Sequence, residues 1–201
     1  MSQPSDIAFS DSVKTVQERL GSREIYSRAV AKGQGWDDHI TPAREAFIKE
    51  RDSIYIATAS ADGRPYIQHR GGPKGFLKIL DKETLGFADY RGNRQYISMG
   101  NLVENDKACL FLMDYPNRGR LKIWGRAEVV EGDDELCAKV TDPEYGAKVE
   151  RVFLFHVEVM DGNCPQHIPQ RFTEEEIEER IGPLKQRIAD LETKLESCCP
   201  E

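Results

Sequence analysis

A chain of 201 residues holds one domain, or one domain with appendages, and is long enough to bury a substantial core. Its 39% hydrophobic and 31% charged residues are an ordinary globular mixture, and its net charge of −7 argues against general nucleic-acid binding while leaving room for a local basic pocket. No apolar run is long enough to span a bilayer or resembles an N-terminal signal peptide. The five cysteines (Cys109, Cys137, Cys164, Cys198, Cys199) form neither a CxxC pair nor a regular framework, which predicts a reducing, cytoplasmic setting.

In chain order, residues Met1 to Ser10 are polar and predicted to be disordered. Val13, Val16 and Leu20 recur at helical spacing from Asp11, Gly21 stops that helix, and Ser22 starts another that reaches about Ala31. GQGWDD (Gly33 to Asp38) reads as a turn. Thr41-Pro42 supplies an N-cap with proline at the first helical position, opening a helix over Ala43 to Glu50. Ser53 to Ser60 is a strand, Ala61-Asp62-Gly63 a hairpin turn and Arg64 to His69 the return strand. Further strands are expected at Phe76 to Leu80 and Thr84 to Ala88, and a short helix over Gly92 to Val103.

Lys107 to Asp114 (KACLFLMD) is a nearly continuous apolar strand, and Arg120 to Glu131 a long one whose Gly125 predicts a bulge. A helix over Asp133 to Val140 precedes Val152 to Met160, where Phe153, Phe155, Val157 and Val159 alternate. Six or more antiparallel strands with short turns predict a mainly β fold, a small closed or split barrel with peripheral helices. After an extended linker (Asn163 to Phe172), Ile177, Ile181, Leu184, Ile188, Leu191 and Leu195 form a heptad seam that Gly182-Pro183 should kink or split. That seam is expected to pack on a partner subunit or back on its own barrel. The domain reading is an N-terminal helical extension (1–40), the barrel (41–160), and a linker with the heptad helix (161–201).

Two joints between strands concentrate cations beside glycine: RPYIQHRGGPKGFLKIL (Arg64 to Leu80) and DYRGNRQYISMGNL (Asp89 to Leu102). Glycine lets backbone N–H groups approach a phosphate, while arginine offers a planar fork of donors. This chemistry alone reaches no further than an anion-binding β-domain, and Arg70 and Lys74 read equally as solvated loop charges. His69 is either a structural histidine or a catalyst. Trp36 and Trp124 read as core or interface aromatics. Cys164 and His167 lack the further ligands that zinc requires. Cys198 and Cys199 read as a loose tail or a redox pair. No Ser-His-Asp or Cys-His arrangement is placeable in one pocket.

The hairpin, GFLKILD (Gly75 to Asp81), LGFADY (Leu85 to Tyr90) with its GNR turn, and LKIWGRAEVV (Leu121 to Val130) resemble the pyridoxamine 5'-phosphate oxidase-related family of FMN-binding split β-barrels. The resemblance covers about Thr41 to Val159, and NCPQHIPQRF is similar to the tail of one subgroup. It implies FMN held between two barrels of a homodimer. The strand Pro73 to Lys78 would run along the flavin, with Gln68, His69, Arg70, Gly71, Gly72, Lys74, Gly75, Phe76 and Lys78 among the contacts. Ala88 and Asp89 match cofactor-contacting positions, Arg94 and Gln95 the basic pair on the phosphate, and Arg120 a position near the ring. Gln166 and Arg171 would reach the partner's flavin.

Pro73 stands where the oxidases have arginine, Gln95 where they have lysine, and their substrate-gripping arginine and histidine have no counterpart. The resemblance therefore implies an FMN-dependent oxidoreductase acting on a different small substrate, with a reduced donor such as a nicotinamide cofactor. Backbone N–H groups of Gly71, Gly72 and Gly75 are expected to stabilise reduced flavin. The rival readings are a flavin-holding or flavin-sensing protein without turnover, the same barrel with deazaflavin or haem, and a protein whose heptad helix is the active element.

Overall fold

Strict two-residue alternation gives the central strands one buried and one outward face. In β2 (Ser53–Ala59), Ile54 and Ile56 point inward; in β6 (Lys107–Asp114), Ala108, Leu110 and Leu112 do; in β7 (Gly119–Val130), Leu121, Ile123 and Ala127 do. With β1 (Trp36–Asp37), β3 (Pro65–Gly71), β4 (Lys78–Ile79), β5 (Thr84–Tyr90) and β8 (Val149–Gly162) they form one antiparallel sheet, ordered β3-β2-β6-β7-β8-β5-β4, with β1 added on β8. The computed structural model describes residues 3–33, 35–162 and 165–198. The sheet is a split β-barrel: its inward residues, joined by Ile48 and by Phe76, Phe87, Phe153 and Phe155, make one core. Phe87 and Phe153 stack with ring centroids 5.1 Å apart.

Among the described residues six α-helices surround the sheet: α1 (Asp11–Arg19), α2 (Arg23–Ala31), α3 (Pro42–Lys49), α4 (Ile97–Glu104), α5 (Asp134–Val140) and α6 (Glu174–Cys198). Local chemistry sets their starts. Thr41 Oγ1 accepts from the Arg44 N–H with Pro42 at the first helical position, and an Asp133 carboxylate oxygen accepts from the Leu136 N–H. Gly63 turns the β2–β3 hairpin at φ +82°. Gly125 sits at the bulge where β7 shifts register on β8, as expected, because a Cβ there would lie 2.0 Å from the His156 carbonyl oxygen.

Several expectations need correction. The described part of the chain start is folded: Pro4–Ile7 is a 3-10 turn with Ser5 buried, and Phe9 packs edge-on against Trp36 and Tyr26. Trp36 and Asp37 are a short strand rather than turn, and the Trp36 ring lies 5.8 Å from that of Trp124. The strand expected over Phe76 to Leu80 shrinks to Lys78–Ile79, since Phe76 and Leu77 leave the ladder to fill the core. The helix expected from Gly92 starts at Ile97. Pro183 lies inside a continuous α6 instead of splitting it. Met1, Ser2, Gln34, Asn163, Cys164 and Cys199 to Glu201, with the side chains of Glu196, Ser197 and Cys198, lie outside the described residues, and with them the readings of Cys164, Cys198 and Cys199. Among the described residues no helix is long and apolar enough to cross a membrane, and no cluster of three or more metal-ligating side chains occurs.

Candidate cofactor site

β3 is an edge strand, and its alternation sends neighbouring residues to opposite sides of the sheet. Tyr66, Gln68 and Arg70 face a cavity of about 200 Å³ at the split of the barrel. Ile67 faces a second, more open cavity of about 430 Å³ on the outer surface, and His69 stacks edge-on against Tyr55 of that wall. The candidate residues, contiguous in sequence, are thus divided between two sites.

The first cavity is built around a part-buried ion pair. β3 and β5 lie far apart in strand order, yet Arg70 Nη1 donates to Asp89 Oδ1 at 2.7 Å, so this pair bridges the split. Arg151 of β8 approaches the other Asp89 oxygen at 3.6 Å, and Arg70 lies over the Phe153 ring at 4.9 Å. Burial raises the Asp89 pKa, and the attraction of Arg70 and Arg151 offsets only part of that. Arg70 Nε is buried without an acceptor among the described residues. Such a donor is an exception that a ligand or a water would explain.

The cavity mouth is the loop Gly92 to Tyr96 with the first turn of α4. Arg94 and Tyr96 both adopt left-handed backbone, at φ +60° and +54°. Tyr96 is the N-cap of α4, so Arg94 precedes the helix by three residues rather than opening it. Its guanidinium is half exposed and only 4.0 Å from Glu150, a loose contact that leaves it available. Ser98, buried, donates to the Gln68 side-chain oxygen at 3.1 Å. The Gln95 N–H donates to the Asn93 side chain. A cation, a helix N-terminus and side-chain amides around one small cavity form a donor set suited to phosphate.

The second cavity is lined by Tyr55, Phe111, Met113, Tyr115 and Ile67, with Arg120, Arg171, His167 and Ile168 at its edges. Arg120 Nε is buried with no acceptor among the described residues, and Arg171 lies over the Tyr115 ring at 4.7 Å. Half-buried aromatics edged by guanidinium donors suit a flat, partly polar ring system. On the same face of β6 as Phe111, burial pushes the Cys109 thiol up to about 11, which makes it an inert packing group.

The remaining candidates are elsewhere. Phe76 and Ala88 are core residues, and Lys78 pairs across β4–β5 with Gly86; they line neither cavity. Lys74 is paired with Glu50, 2.8 Å away, which raises its pKa. The glycines are not an anion cradle: Gly72 N–H donates to the Asp52 carbonyl and Gly75 N–H to that of Arg51, each at 2.9 Å, and Gly71 pairs with Ser53 at the end of β3. Packing accounts for two of them. A Cβ on Gly72 would fall 2.8 Å from the Phe76 Cβ, and Gly75 has φ +76°. Gln166 is exposed outside both linings.

Sequence reasoning missed Tyr55, Tyr115, Tyr96, Glu150 and Arg151. Arg151 carried a usable signal, since it continues the phase of Phe153, Phe155 and Val157 toward the interior. The others depend on which loops meet in space.

The model of the Pyridoxamine 5'-phosphate oxidase family matches residues 40–164. No curated protein matches the chain. Among solved structures, a variant of HupZ from Group A Streptococcus is 19% identical with a TM-score of 0.50, over 62% of this chain and 99% of that one. An FMN-binding protein from Syntrophomonas wolfei is 14% identical with a TM-score of 0.44, over 77% and 96%. HutZ, a haem storage protein from Vibrio cholerae, is 18% identical with a TM-score of 0.43, over 61% and 94%. With the family model spanning more than half of its residues, the chain belongs to the pyridoxamine 5'-phosphate oxidase-related family, outside the true oxidases.

Proposed function

We propose that this protein binds FMN between two copies of the chain and works as an oxidoreductase on a small substrate. The observation that carries the reading is the pairing of two unlike cavities on one barrel, each with a buried guanidinium Nε that none of the described residues accepts. About 200 Å³ is below the roughly 300 Å³ at which pockets begin to enclose a whole cofactor. The first cavity therefore suits one end of FMN, and the second suits a ring. Arg94 and the N–H groups opening α4 would hold the phosphate, with Gln68, Ser98 and Arg70 beside the polar chain. Arg120, Arg171 and the aromatics of the outer face would cover the ring contributed by a partner.

When bound, FMN would supply the redox chemistry, accepting two electrons from a reduced donor such as a nicotinamide cofactor. The protein's own residues would neutralise phosphate charge, orient the ring and exclude water. Haem in the outer cavity is the second reading, favoured by His167 on an aromatic wall that also offers two arginines.

An absorption spectrum of the purified protein, taken during FMN titration, tests the proposal. Saturable binding that Arg94→Ala weakens about tenfold, as loss of a charge-assisted phosphate contact predicts, supports it. A Soret band with no flavin uptake overturns it in favour of haem. Saturated flavin that no nicotinamide donor reduces points to a holding or sensing protein.

A further inference from the structure

We infer that α6 pairs with α6 of a second copy of this chain as a parallel, two-stranded coiled coil. Its six seam residues are 37–67% exposed, an apolar stripe too regular to be a solvated helix face. The spacings assign Ile181, Ile188 and Leu195 to heptad position a and Ile177, Leu184 and Leu191 to d; the central four have the Ile-at-a, Leu-at-d distribution that favours two parallel strands. Gly182 and Pro183 fall at b and c, away from the seam. That explains why the helix runs on through Pro183: its missing hydrogen bond faces water.

Flanking charge chooses the direction. In the antiparallel register that stacks all six seam residues, Glu178 meets Glu192 and Arg180 meets Lys194, while Lys185 and Arg187 each meet their own copies. Every flanking pair there is like-charged. In the parallel arrangement Arg187 meets Glu192 of the other copy, twice by symmetry. Among the described residues neither has an ion-pair partner within its own chain. The parallel arrangement has one unfavourable pair, Arg180 with Lys185, and each of these has an intrachain partner in either arrangement. Arg180 lies over the Phe172 ring at 4.2 Å, and Lys185 pairs with Glu178 at 2.7 Å. The helix start is also fixed, by a reciprocal cap in which Thr173 N–H donates to Glu176 and Glu176 N–H donates to the Thr173 hydroxyl.

Cysteine cross-linking of the full chain tests this. In a background with Cys164, Cys198 and Cys199 replaced by serine, Ile188→Cys should oxidise in air to an inter-chain disulfide, because a-position residues of parallel strands face each other. Ala189→Cys, at position b, should not. Glu192→Lys should slow cross-linking through position 188 about tenfold, the scale of two ion pairs turned repulsive, and adding Arg187→Glu should restore it. No cross-link at position 188, equal cross-linking at position 189, or a disulfide formed only on mixing Leu184→Cys with Ile188→Cys chains overturns the inference. The inference concerns α6 alone, so FMN titration of the cross-linked chain reports on the flavin reading separately.

Discussion

At the scale of single residues, the pair that bridges the split is asymmetric. Burial raises the Asp89 pKa by more than the attraction of Arg70 and Arg151 lowers it, so its surroundings penalise the carboxylate. The neutral isostere, Asp89→Asn, removes that penalty and keeps a side-chain oxygen for Arg70, but leaves the partly exposed guanidinium without its counter-charge, so it should cost about 1–2 kcal/mol at pH 7. Arg70→Met keeps the packing on Phe153 but takes away the nearer counter-charge of a buried carboxylate, and should cost about 3 kcal/mol. The pH dependence follows in sign. The folded pKa of Asp89 lies above its unfolded value, and losing Arg70 raises it further. The carboxyl's contribution is then fully present below the unfolded pKa and is lost as pH rises through the folded one. The Arg70→Met deficit should therefore shrink on acidification. Urea denaturation of both variants at neutral and mildly acid pH measures this. Equal losses at pH 7 would refute the asymmetry.

At the scale of elements, the bulge in β7 carries the most exposed prediction. A methyl group at Gly125 meets a carbonyl oxygen of the neighbouring strand at 2.0 Å and the Phe155 ring at 2.8 Å, and backbone cannot step aside as a side-chain tip can. Gly125→Ala should cost about 3 kcal/mol or more, where an open-space position such as Gly100→Ala should cost nothing measurable. Thermal melts of the two variants decide it. This bulge was legible in the sequence, as were the Asp62-Gly63 hairpin and the Thr41 cap, because each is decided by local chemistry. The division of β3 between two cavities was half legible. Residue parity separates Gln68 and Arg70 from Ile67 and His69, but not which loops close over each side. The start of α4 was not legible, since non-glycine residues at Arg94 and Tyr96 take left-handed backbone. The glycines from Gly71 to Gly75 misled for a related reason: carbonyls of Arg51 and Asp52, far off in the chain, had already claimed two of their N–H groups.

At the scale of the molecule, two kinds of apolar surface have separate work. The buried core runs from Ile40 through Met160, Ile168 of the linker is buried at the outer cavity, and no residue of α6 with a described side chain is buried. Stability and association should thus come apart on truncation. A chain ending at Phe172 keeps every core residue and the linker over the outer cavity. At low concentration its thermal midpoint should stay within about 3 °C of the full chain, since a larger loss would require about a kcal/mol or more of packing. Its self-association, followed by sedimentation across a concentration series, should weaken, because the heptad seam is gone. A midpoint lowered by about 10 °C or more at low concentration would mean that α6 folds back onto its own barrel in solution. The exposed stripe would then be an intramolecular contact, and any self-association would rest on the barrel faces that carry the two cavities alone.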